Sequence, residues 1–173
     1  MMAKKWLLLA CVSLLFNGCS PTFTPLKGKY LEEPYIIYSK KSLDQIWSNA
    51  IDILAIKGFP IKILDKENGL IVCERVSLMS NYTYEYRSVV KSPPNEYVVL
   101  PSLMRAGIIY DFPKTLTGVV TIRIRNEGDS VLINVNLTAL DITTDPEIKQ
   151  SSLIRKSMRS TGEFEENFAN MIK

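Results

Sequence analysis

The chain opens on an almost unbroken apolar run. Trp6 to Phe16 is hydrophobic apart from Ser13, follows the cations Lys4 and Lys5, and is closed by Asn17-Gly18. A bilayer span needs about 20 apolar residues. This run is shorter and has the layout of an export signal, so residues 1–18 are set apart from the fold. Residues 19–33 contain Pro21, Pro25 and Gly28 without periodicity and read as a tether. Residues 34–173 then form one domain, beginning with a strand over 34–39.

The pattern next becomes helical. Leu43, Ile46, Trp47, Ala50, Ile51 and Leu54 share one face. Ser42 with Gln45 makes a capping-box pattern, and Gly58 stands where a left-handed stop belongs. The spacing predicts a helix over 43–57 with Trp47 in the core. A strand over 59–64, a turn at Asp65–Gly69 and a returning strand over 70–77 follow. Residues 81–90 alternate, placing Tyr82, Tyr84 and Tyr86 on one side. Residues 91–114 carry four prolines and read as irregular, although Tyr97–Leu100 and Gly107–Tyr110 are apolar. A hairpin over 117–139 turns at Asn126–Asp129, with Gly118, Val120, Ile122, Ile124, Val131, Ile133, Val135, Leu137 and Ala139 facing inward. Asp145-Pro146 suits a helix start. Ser160 with Glu163 predicts a capped last helix, whose stripe is Phe164, Phe168, Met171 and Ile172.

This order predicts an α+β fold of two layers. A long N-terminal helix and a C-terminal helix would pack on one face of a curved antiparallel sheet, leaving its polar face to solvent.

Charge and cysteine usage narrow the chemistry. The net charge is +3, but two of the 21 basic residues and none of the 18 acidic ones lie in the signal, so the remainder is nearly neutral. A nucleic-acid surface is not expected. There is no histidine, which removes the commonest general base and metal ligand. Neither a phosphate-binding glycine loop nor paired metal-ligand cysteines occurs, so no metal and no cofactor is expected. Asp141 and Asp145 are the nearest thing to a carboxylate pair; the ordinary role of such residues is in turns and caps, and no enzymatic activity is expected. Cys73 lies in the apolar run Leu70–Cys73 and reads as a packed thiol.

Gly18-Cys19, with Leu15 upstream and the charged and apolar regions in register, resembles the lipobox of bacterial lipoproteins. The resemblance implies a diacylglycerol-modified, acylated Cys19 at the new N-terminus after cleavage. Ser20, in place of the aspartate that some bacteria use for inner-membrane retention, points to the outer membrane with the domain in the periplasm or at the cell surface. Trp47 and its helix, Gly58-Phe59-Pro60-Ile61, Asp65, Gly69–Val72 and Ser160–Glu165 together resemble small bacterial envelope lipoproteins with a helix-grip-like domain, such as the lipoprotein components of the outer-membrane β-barrel assembly machinery. That resemblance implies the helix-grip fold and another envelope protein as partner.

The expected role is therefore a protein-binding or assembly-accessory module. The candidate surface is Tyr82, Tyr84, Tyr86, Tyr97 and Tyr110, residues that serve equally well as a packed strand face. The alternative is a carrier or sensor of a small apolar or lipid ligand held between helix and sheet.

Overall fold

A computed structural model describes residues 22–86, 89–90, 96–105, 108–109, 112–146, 148 and 150–173. The expected signal segment, Cys19 and Tyr110 lie outside these residues. In chain order the elements are β1 (Thr22–Thr24), β2 (Tyr35–Ser39), α1 (Leu43–Ile56), β3 (Ile61–Asp65), β4 (Leu70–Ser77), β5 (Tyr82–Tyr86), β6 (Val89–Val90), β7 (Val98–Arg105), β8 (Ile108–Ile109), β9 (Thr115–Glu127), β10 (Ser130–Thr143), α2 (Ser151–Ser157), β11 (Arg159–Ser160) and α3 (Glu163–Ile172).

The strands form two sheets. The first is antiparallel throughout, in the order β2-β10-β9-β4-β3. The second is built around β7. The first half of β7 lies between β5, its parallel neighbour, and β11; its second half lies between β1 and β8. Pro101, which has no N–H to donate, sits where β7 changes partners.

This corrects the expected fold class. Among the described residues strand far outweighs helix, two sheets form where one was expected, and the three helices are short. Among the described residues no long N-terminal helix packs across a single curved sheet, and the helix-grip-like architecture does not hold. The cause lies in residues 82–109. The prolines of residues 91–114 suggest an irregular connection, but Val98–Arg105 is a strand that pairs with Tyr82–Tyr86 and starts a sheet of its own. A parallel pairing joins residues distant in sequence, so local periodicity cannot announce it.

Local signals otherwise act where they stand. Ser42 accepts the Gln45 N–H at 3.3 Å, and the Ser42 N–H donates back to the Gln45 side chain at 3.0 Å, starting α1. Gly58 takes φ +64 just past its end. Ile46, Trp47, Ala50 and Leu54 are buried, and α1 lies against α3 and β9. In the turn after β3, the Asp65 carboxylate accepts the Asn68 N–H at 3.0 Å and its amide at 2.7 Å. Gly69 supplies the positive φ, and a Cβ there would lie 1.9 Å from the Ile124 carbonyl.

The β9–β10 hairpin keeps its expected inward set except Ala139, which is exposed at φ +46. The pairing slips between Thr138 and Asp141, so Ile142 becomes the next buried residue. On the other side of β9, β4 slips between Cys73 and Val76, with Arg75 at φ +55. Both neighbours of β9 thus bulge at the level of Gly118, where a Cβ would stand 2.8 Å from Leu137 Cδ1. Paired bulges bend a sheet and sharpen its twist.

Near the C-terminus, Asp145-Pro146 starts no helix; α2 begins at Ser151. The expected Ser160–Glu163 box is replaced. Gly162, at φ +95, is the N-cap of α3, Thr161 Oγ1 accepts the Glu163 N–H, and Ser160 donates to Glu165. Met171, expected in the apolar stripe of α3, is exposed.

Candidate functional site

The N-terminal segment is the first departure with functional weight. Residues 22–31 do not hang free as a tether but form a strap on the second sheet. Thr22, Phe23 and Thr24 pair with Met104, Leu103 and Ser102. Leu31 bridges to Ser160 of β11. Between these contacts lies Glu85. Alternation along β5 turns Tyr82 and Tyr84 toward the core, and Thr83 and Glu85 to the other face, where both are buried. The strap closes over that face. The N–H groups of Lys27 and Gly28 donate to the two Glu85 oxygens at 2.7 and 2.8 Å, and the Tyr30 hydroxyl donates to Oε2. Burial alone would raise this carboxyl. The Tyr30 hydroxyl, the two N–H groups and the Lys27 charge outweigh it and hold Glu85 below the usual carboxylate range. Tyr30 is pushed upward, first by burial and then by its bond to Glu85 and the carboxylate's charge. A side chain at Gly28 would collide with both, its Cβ 2.7 Å from Tyr30 Oη and 2.9 Å from Glu85 Oε2.

A second buried carboxylate belongs to α3. Glu165 is fully buried, accepts the Leu137 N–H at 3.1 Å on one oxygen and the Ser160 hydroxyl at 2.8 Å on the other. Burial raises its carboxyl despite both bonds. It borders an open cleft of about 360 Å³ lined by Leu31, the 136–140 stretch of β10 and Met158–Ser160. No cation reaches this carboxylate among the described residues, and its two bonds tie α3 to β10 and β11. Its chemistry is that of a structural knot.

The tyrosines separate. Tyr82 and Tyr84 meet edge to face at 5.8 Å, Tyr84 touches Phe112 at 5.5 Å, and Tyr97 meets Phe164 at 5.3 Å. All three are half-buried against the core, which is the packed-face role. Tyr86 shares the β5 backbone, and Tyr110 is outside the described residues, so the five do not assemble into one described surface. Asp141 is ion-paired with Arg155 at 2.8 Å and Asp145 with Lys114. Each carboxylate is engaged separately. Cys73 is fully buried, and burial pushes its thiol up to about 11. Among the described residues no cluster of three metal-ligating side chains occurs, and no helix is long and apolar enough to cross a membrane.

The exposed apolar surface lies elsewhere. β3 ends the first sheet, and its outer edge has no strand partner among the described residues. Its Ile61, Ile63 and Leu64 are all exposed, Leu64 to 54%, and Ile56 at the end of α1 is 85% exposed. Natural sheets blunt such edges with charge, proline or a covering element. Here Lys62 is the single cation on the strand, and it is drawn into a pair with Glu74 of β4. The sequence signal was present in Ile61-Lys62-Ile63-Leu64. What it lacked was any indication that this strand is an edge.

No protein-family model matches the chain, and no curated protein matches it.

Proposed function

We propose that this chain is a non-catalytic lipoprotein of the outer membrane, anchored through Cys19, that binds an extended segment of an envelope protein along β3. The observation that carries the binding role is the bare outer edge of β3, which has no strand partner among the described residues and whose three large apolar side chains face solvent. An added strand would satisfy the free backbone groups of β3, and Ile56, Ile61 and Leu64 would offer it apolar anchors. The anchor rests on the order of Lys4-Lys5, the apolar run and Gly18-Cys19. Two features fit a binding role better than a reaction: the two buried carboxylates are both bonded into the scaffold, and the Asp141 and Asp145 carboxylates are paired with cations.

The test places a photo-crosslinking residue at Ile63 in cells and captures the protein through its C-terminus. A discrete adduct is expected, and Ile61→Lys with Leu64→Lys should abolish it. These exposed substitutions should change stability by no more than about 0.5 kcal/mol. An adduct that survives both substitutions places the binding surface elsewhere. The anchor is read separately, since Cys19→Ala should leave an uncleaved precursor without acyl chains.

A further inference from the structure

From the strap and its register we infer that the β7–β8 end of the second sheet is the face this domain lays against the lipid headgroups. The inference rests on the proposed acylation of Cys19. Only Ser20 and Pro21 stand between that cysteine and Thr22. Three residue steps span at most about 11 Å even fully extended. Thr22 is pinned opposite Met104, and paired strands lie about 5 Å apart. Met104 is therefore held within roughly 16 Å of the atom that carries the lipid. A loose tether would let the domain roam and turn; a strap locked by β1 and by Glu85 does not.

The direction follows from the antiparallel pairing. Thr24 lies beside Ser102 and Thr22 beside Met104, so the chain toward Cys19 runs past the C-terminal end of β7. At that end β7 folds back into β8, with Met104 opposite Ile109 and Arg105 opposite Ile108. Met104 and Ile109 are partly exposed apolar residues at the same end as the anchor. Apolar side chains near an acyl anchor add to membrane affinity through the area they bury in the headgroup region. The occupant this end fits is the bilayer surface itself.

The experiment uses the intact acylated protein in vesicles of phosphatidylethanolamine and phosphatidylglycerol. Cys73 is buried, so Ile109→Cys provides one labelling position and Asp129→Cys, in the β9–β10 turn, another. Thr22→Cys repeats the measurement at an exposed position of β1. Probes at 109 and 22 should be quenched severalfold more by headgroup-level nitroxide lipids than the probe at 129, and severalfold less by aqueous iodide. A long Gly/Ser insertion after Ser20 should erase the difference. Acylated protein in which 109 and 22 are as open to iodide as 129 overturns the orientation and leaves the anchor standing. Protein whose mass shows no acyl chain overturns both.

Discussion

Glu85 and Glu165 are buried carboxylates with opposite electrostatics, and each sets its own pH dependence. Glu85 is held below the ordinary carboxylate value, so it binds its proton more weakly folded than unfolded. Its contribution is present above the unfolded carboxylate range and is lost as pH falls through the folded value. Glu165 is raised, so its contribution is complete in acid and is lost as pH rises through its folded value. Glu85→Gln should therefore cost about 2 kcal/mol at neutral pH, from charge-assisted bonds weakened to neutral ones, with the loss shrinking in acid. Glu165→Gln should show its smallest cost, or a gain, at neutral pH. Chemical denaturation across the acid range measures both, and parallel pH profiles for the two variants would contradict the opposite signs. Neither carboxylate was legible as buried in the sequence. Glu85 alternates with tyrosines like any strand-surface residue, and Glu165 sits in the first helical turn, where an exposed acid is the ordinary reading.

Elements show what local pattern can and cannot carry. The capping box at Ser42, the face with Trp47 and the turn at Gly69 act within a few residues, so the sequence displays them directly. The bulges at Arg75 and Ala139 are invisible because neither residue advertises a positive φ. They arise where β4 and β10 must both follow the bend of β9 around Gly118. A left-handed conformation costs a residue with a Cβ about 1–2 kcal/mol. Ala139→Gly should recover up to about 1 kcal/mol, since the site is exposed and no packing is lost. Unchanged or lower stability in denaturant melts would mean that the bend does not strain this residue. The edge character of β3 belongs to the same class: the strand is readable, its place in the sheet is not.

On the scale of the whole molecule, the strap decides which parts form one body. Composition and periodicity put the domain boundary at residue 34, yet the strap from Thr22 onward is bonded into the second sheet. Prolines and a glycine made the segment look solvated, yet Gly28 is there to let backbone close on a carboxylate. Removing residues 22–31 should cost at least about 3 kcal/mol through the lost bonds to Glu85 alone, and lower the melting temperature by roughly 10 °C. A truncated domain that melts with the full one would return the segment to the status of a tether. The two-sheet architecture was out of reach for a related reason: β7 gathers β1, β5, β8 and β11 from four separate places in the chain.

That convergence also orders events in time. The strap precedes its partners in the chain: Glu85 follows Lys27 by 58 residues, and Ser160, which meets Leu31, lies beyond β10. Pairings this distant are slow to form, and the surfaces they cover wait open meanwhile. The first sheet waits as well, for β2 pairs with β10, and β5 to β8 of the second sheet lie between them in the chain. Synthesis from the N-terminus therefore delivers the clasp before its catch. A chain interrupted before β7 leaves its strap unfastened, and an accessible strap segment is then a mark by which a protease can distinguish an unfinished copy from a folded one.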